Sequence, residues 1–289
     1  MSNRRAVVIG GGGVAGIAWE VGILHGLLEA GVALNDADAI IGTSAGSFAG
    51  SYLASNTVAR WYAAQLEGVG QEIAAPWAED WLVEVEAAIA EGGQEPAAVS
   101  RALAAMALRR EVASQAERMD VVKSRIDGPE WPDGPLMVTA IDADSGELHL
   151  INRDQGIPFP EAVAASGAVP GVWPVVSTGG RRWIDGGCIS VNNAGLAHGS
   201  DVVIILALRT DGLVRTMPGL DHEVDVLREE GTRVEVIVPD ASSAAVLGDN
   251  PFDPTVRGAA AQAGYRQALA CAAQVATTWD PADAPLQRS

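Results

Sequence analysis

ADAIIGTSAG, residues 37–46, decides how this chain reads. The run ADAIIG (37–42) has the composition of a buried strand, and the small-residue stretch 45–54 is helical in pattern. Between them Gly42-Thr43-Ser44-Ala45-Gly46 matches G-x-S-x-G in a strand–turn–helix setting. Such a turn lifts a serine hydroxyl above a sheet. Glycines on either side let neighbouring backbone come close, and the N–H of the next residue, Ala45, points at the oxygen of a tetrahedral adduct. Five residues match by chance in a chain with 33 glycines, so the setting carries the signal. Ser44 is the candidate nucleophile.

Upstream stands VVIGGGGVAGIAW, residues 7–19. Residues 6–10 read as a strand. Ile17, Val21, Leu24 and Leu28 recur at helical spacing, and Gly31 is a plausible stop. Gly22 and Gly26, one turn apart, permit close packing on a sheet. Residues 6–42 then form a βαβ unit whose strand ends lie side by side, so the amides of Gly11, Gly12 and Gly13 come near Ser44 as an oxyanion hole. Gly11 to Gly16 also satisfies G-x-G-x-x-G, the loop of a dinucleotide-binding module. That fold places an acid at the end of its second strand. Here Asp36 and Asp38 precede or begin the strand, and its end holds Gly42-Thr43-Ser44. No G-x-x-x-x-G-K-[ST] is present either.

Strands are also expected at 135–152, as a hairpin turning at Asp144-Ser145-Gly146, and at 181–188, 201–209 and 232–240. Helices are expected at 160–170, with Pro160 in the first turn and Pro170 at the end, and at 255–276. Residues 56–130 are rich in Ala, Glu and Arg, carry Trp61, Trp77 and Trp81, and break at EGGQEP (91–96) into two helical stretches. They read as a helical insertion partly covering a site. Strands alternating with helices predict one α/β domain over 1–289 with a mostly parallel sheet covered on both faces.

Composition narrows the function classes. The 289 residues carry 19 Lys plus Arg against 37 Asp plus Glu, a formal charge of −18 that repels nucleic acid and anionic lipid at long range. Cys188 and Cys271 make no disulfide framework and suit a reducing, cytoplasmic setting. Arg4-Arg5 precede a short apolar run that enters glycines at once, which reads as a core strand and not as an export signal. No run reaches the length of a membrane span. No cofactor and no metal site is expected.

A serine nucleophile needs a base. His25, His149, His198 and His222 each lack a glycine-flanked turn to aim them at the site. In WIDGG (183–187), Asp185 ends a short strand before two glycines, so its carboxylate can reach the crevice. On the residues alone, a triad of Asp185 with His198 or His222 stays open.

Taken together, GGGVAG (11–16), GTSAG (42–46), ASGAVPGVWP (165–174) and DGG (185–187) resemble the patatin-like phospholipase family, over residues 6 to about 210. The resemblance implies an α/β/α sandwich, acyl-ester hydrolysis of lipids, Ser44 as nucleophile, Asp185 as its partner without a histidine, and an oxyanion hole from Gly11, Gly12 and Gly13. The chain departs from the family in Ala15, where Arg or Lys is usual, and in one extra residue between Gly16 and Gly22. Lipid or another acyl ester is the expected substrate, with transient membrane-surface contact and no nucleic acid. A carboxylesterase or thioesterase acting on soluble esters would use the same residues. A silent interaction protein could keep the same fold.

Overall fold

The computed structural model describes residues 3–68, 79–210, 214 and 219–280. The first half runs β1 (Arg5–Ile9), α1 (Gly13–Glu29), β2 (Ala39–Gly42), α2 (Ala45–Ala54), α3 (Val58–Glu67), α4 (Glu79–Gly92), α5 (Pro96–Ala107) and α6 (Gln115–Lys123). Next come β3 (Leu136–Asp142), β4 (Leu148–Ile151), α7 (Phe159–Ser166), β5 (Val176–Thr178) and β6 (Arg181–Asp185). The chain continues through β7 (Val202–Leu206), α8 (Leu220–Glu229), β8 (Arg233–Ile237), α9 (Ala241–Leu247) and α10 (Arg257–Trp279).

β3, β2, β1, β7 and β8 lie in that order and run parallel. β2 and β7 are buried throughout, as their unbroken apolar runs require of strands covered on both faces. Val7, Ile9, Ile40, Ile204 and Leu206 point to one face, under α1, α2 and α10. Ala6, Val8, Ile41, Val203 and Ile205 point to the other, under α8 and the short helix Ala194–Ala197. The architecture is therefore an α/β/α sandwich. Among the described residues no helix is long and apolar enough to cross a membrane.

The antiparallel part carries the consequence for function. Val138 pairs with both Gly42 and Ile151, and Ala140 pairs with both His149 and Asp185. A strand has two edges, so β4 fills one edge of β3 while β2 and β6 share the other. β3 outruns β2, and β6 enters the vacant stretch from the opposite direction. Asp185 is thus delivered two residues beyond Gly42, at the level of Ser44.

Several expectations change. Gly22 and Gly26 receive α10, not the sheet: a Cβ at Gly22 would stand 2.1 Å from Ala261 O, and one at Gly26 would stand 2.6 Å from Ala268 Cβ. The helix expected at 160–170 ends at Ser166 with Gly167 as its cap, so Pro170 belongs to the following loop. The 56–130 region holds four helices among the described residues, not two stretches, although the break at 91–96 is present between α4 and α5. Trp61 stacks on Tyr52 with ring centroids 4.6 Å apart, and Trp81 Nε1 donates to Pro170 O at 2.8 Å. Trp77 lies outside the described residues. The hairpin partner β5, joined to β6 through Gly179 and Gly180 at positive φ, had no alternating pattern to announce it.

Candidate active site

Ser44 sits between β2 and α2 at φ 53°, ψ −112°, a conformation rarely held by a residue with a side chain. From Ala39 to Ala54 it is the only residue that is not buried. The flanking glycines are obligatory here. A Cβ at Gly42 would stand 2.5 Å from Gly46 O, and one at Gly46 would stand 2.0 Å from Ile9 O. The turn is tied to β1 by Thr43 N–H donating to Ile9 O at 2.9 Å and Gly46 N–H donating to Gly10 O at 3.0 Å.

The glycine loop follows β1, whose Ile9 lies opposite Gly42. Its three glycines differ. Gly11 is buried and its N–H donates to Val191 O at 2.8 Å, so this amide is already spent. The expectation that Gly11 donates to an oxyanion is corrected on that ground; Gly11 instead supplies space, since a Cβ there would lie 3.5 Å from Ser44 Cβ. Gly12 and Gly13 are half-buried at the start of α1, and their amides have no hydrogen-bond acceptor among the described residues. Gly13 has φ +62°, and a Cβ on it would meet Pro251 O at 2.5 Å. Ala45 N–H, at the start of α2, has no acceptor among the described residues either. Three open amides thus stand at two helix N-termini, one of them next to Ser44 in the chain.

Asp185 is buried at the end of β6. Its Oδ1 accepts from Gly187 N–H at 2.6 Å. Its Oδ2 is buried without a partner of good hydrogen-bond geometry, yet the Ser44 hydroxyl still acts on this carboxyl as a donor. Burial pushes the Asp185 carboxyl up to about 6, against the opposing pull of the Ser44 hydroxyl, the Gly187 N–H and the Arg118 charge.

The end of α7 and the residues just after it clamp both residues. Ser166 Oγ accepts the Ser44 N–H at 2.9 Å, and Ala168 O accepts the Asp185 N–H at 3.0 Å. Behind them Asn193 Nδ2 donates to Thr43 Oγ1 and to Gly186 O, both at 3.0 Å, while Thr139 Oγ1 donates to Thr43 Oγ1 at 2.9 Å. The nucleophile turn and the Asp-Gly-Gly turn are therefore one hydrogen-bonded unit.

A family model described as patatin-like phospholipase matches residues 7–198. The chain belongs to the patatin-like phospholipase family. That is a family of lipid acyl hydrolases, and the match contains every motif of the site described above. β7, beyond the matched residues, pairs with β1 in the same sheet. Among solved structures, VipD from Legionella pneumophila resembles this patatin-like chain with TM-score 0.44 and 13% identity, over 94% of this chain and 67% of that one. The type III effector ExoU gives TM-score 0.39 and 13% identity, over 94% and 53%. Full-length ExoU from Pseudomonas aeruginosa, in complex with SpcU, gives TM-score 0.36 and 16% identity, over 92% and 52%. The chain thus spans about half the length of the ExoU chains. No curated protein matches it.

Ser44 of this patatin-like protein opens into a cavity of about 260 Å³. Gly11, Gly12, Gly13 and Asp185 line it beside Ser44, and Trp81, Leu82, Val85, Ile89 and the exposed Glu86 of α4 line it as well. No histidine lines it. His198 and His222 are exposed, and His25 packs between Tyr62 and Tyr265 with centroids 4.5 and 5.6 Å away. His149 lies edge-on to Trp183 and is separated from Asp185 by Ala140 of β3. Asp36 and Asp38 stand at the opposite end of the sheet, where Asp38 Oδ2 accepts Arg5 N–H at 2.8 Å, so no acid follows β2 as a dinucleotide site would need. Among the described residues no three His, Cys, Asp or Glu side chains are grouped to hold a metal. Ala15 is buried, with its amide bonded to Pro251 O at 3.0 Å. The charge that acts on Asp185 comes instead from Arg118 on α6, which lies 4.1 Å over the Trp173 ring. Ser166, Asn193, Thr43 and Thr139 were not legible as site residues, because each acts through a contact more than 90 positions away in the chain or through a partner of that kind.

Proposed function

We propose that this protein hydrolyses acyl esters of lipids with Ser44 as nucleophile and Asp185 as the only base. Ser44 Oγ attacks the ester carbonyl and its proton passes to Asp185. The oxyanion is held by the N–H groups of Gly12, Gly13 and Ala45, and collapse expels the alcohol with the proton from Asp185. Water then attacks the acyl-enzyme, gives a proton to Asp185, and frees the fatty acid and Ser44. A carboxylate is a weak base at its reference pKa of about 3.9, and burial improves the match to neutral pH by raising it.

One observation carries this reading: Asp185 and Ser44 share the wall of one cavity that no histidine lines. A lining from α4 that is apolar at Trp81, Leu82, Val85 and Ile89 and charged only at the exposed Glu86 suits the acyl chain of a lipid. The protein is read as cytoplasmic, making transient contact with neutral or zwitterionic surfaces. The test is labelling by a fluorophosphonate, which adds once, at Ser44, and is lost in Ser44→Ala. Asp185→Asn loses turnover nearly as completely, while His198→Gln and His222→Gln stay within about tenfold of the parent. Turnover that survives Asp185→Asn but fails with either histidine variant overturns the dyad.

A further inference from the structure

One wall of the Ser44 cavity belongs to α4, and α4 is fixed. Trp81 Nε1 is bonded to Pro170 O at 2.8 Å, Arg110 Nη1 to Glu84 Oε1 at 2.8 Å, and Gly171 leaves space that a Cβ would fill at 3.1 Å from Trp81 Cδ1. Trp81, Val85 and Ala88 are buried in a second apolar core with Val99, Leu103 and Met106 of α5. This wall is part of the scaffold, and it bounds the cavity on one side.

The geometry points to α4, through Ile89 and Leu82, as the element that sets the acyl-chain length this enzyme accepts. The inference rests on the ester-hydrolase reading above and names its substrate class: medium-chain acyl esters. The cavity of 260 Å³ holds about nine water-sized or methylene-sized units at roughly 30 Å³ each. The surfaces of Val85, Ile89, Val169 and Cys188 that line it are apolar, and Cys188 is held as the neutral thiol because burial pushes its pKa well up. Each methylene that enters such a space improves binding about fourfold. Methylenes beyond the space contribute nothing or clash. Ile89 is half-buried and Leu82 is 47% exposed, so both border the cavity without being locked in the core as Trp81 and Val85 are.

The experiment measures kcat/KM for p-nitrophenyl esters from acetate to palmitate. The parent enzyme rises about fourfold per methylene to a maximum near eight to ten carbons, then flattens or falls. Ile89→Trp moves the maximum to shorter chains and lowers the decanoate-to-acetate ratio at least tenfold. Ile89→Ala moves it to longer chains. Val83→Trp, on the 66% exposed outer side of the same helix, leaves the profile in place. Fluorophosphonate labelling at Ser44 is followed in every variant. A profile that Ile89→Trp and Ile89→Ala both leave unchanged, with Ser44 still labelled and acetate still turned over, overturns the inference alone. Absence of labelling and of turnover on every ester in the parent overturns the ester-hydrolase reading and this inference with it.

Discussion

Asp185 pairs with Ala140 across an antiparallel ladder, two residues beyond the point where Gly42 pairs with Val138 on the same edge of the same strand. The acid and the nucleophile turn are therefore neighbours along one strand edge and approach it from opposite directions. Burial at that meeting point raises the Asp185 carboxyl to about 6.

The first prediction concerns pH. Asp185 must be ionised to accept a proton, so kcat/KM should rise with pH through an apparent pKa of about 6. Stability should run the other way. Between the unfolded value near 4 and the folded value, the native state holds a proton that the unfolded chain has lost, so stability falls as pH rises across that window and is level above it. A shift from 3.8 to about 6 corresponds to about 3 kcal/mol. Asp185→Asn should abolish turnover and melt above the parent at pH 8, with the difference vanishing near pH 4. Paired activity profiles and thermal melts test it, and a parent that gains stability from pH 4 to 6 relative to the variant would contradict it.

The second concerns strain at Ser44. Its φ of 53° suits glycine far better than alanine. Ser44→Gly and Ser44→Ala should be equally inactive, but the glycine variant should be more stable by about 1 kcal/mol, within the range such backbone strain costs. Denaturant melts of the pair decide the matter; equal midpoints would mean the turn relaxes.

The third separates the glycines of the loop. A Cβ at Gly12 would stand 2.5 Å from Leu208 Cδ2 and 2.9 Å from Gly16 Cα, displacing an open amide. Gly12→Ala should lower kcat by about 10²-fold or more, the scale of losing one oxyanion donor. At Gly11 the added carbon meets nothing closer than 3.4 Å, and its amide serves Val191. Gly11→Ala should keep kcat within about tenfold and change mainly KM. Equal losses in kcat would return Gly11 to the oxyanion hole.

The fourth concerns the clamp. Ser166→Ala leaves the Ser44 N–H without its acceptor, and Asn193→Ala removes donors to Thr43 and Gly186 together. Each should cost about 1–3 kcal/mol of stability, the scale of an unsatisfied buried polar group. Each should also lower kcat with KM little changed, because the substrate cavity is left intact. A change confined to KM would show that these residues do not hold the dyad.

The fifth follows from charge. At a formal −18, the protein should bind zwitterionic vesicles weakly and reversibly and anionic vesicles less, with the difference shrinking as salt is added. Vesicle sedimentation at two ionic strengths measures this. Tight sedimentation with phosphatidylserine vesicles free of calcium would contradict it.

The α/β class, the βαβ start, the helix over 45–54, the 144–146 hairpin and the family were all legible in the chain. Each rests on a pattern of neighbouring residues: apolar runs for buried strands, helical spacing after the glycines, and glycines where a turn admits no Cβ. Ser44 and Asp185 were legible as candidates for the same reason, since Gly42, Gly46, Gly186 and Gly187 mark sharp turns beside them. What neighbouring residues do not encode is pairing. That α10 receives Gly22 and Gly26, that β6 takes the free edge of β3 above β2, and that Val191 spends the Gly11 amide are contacts between segments tens to hundreds of positions apart. A strand's residues state that it will be buried, but its partner, direction and register come from which assembly covers the most apolar surface and satisfies the most backbone groups. The identities of the candidate residues were therefore written locally, and their meeting at one cavity was made only by the sheet.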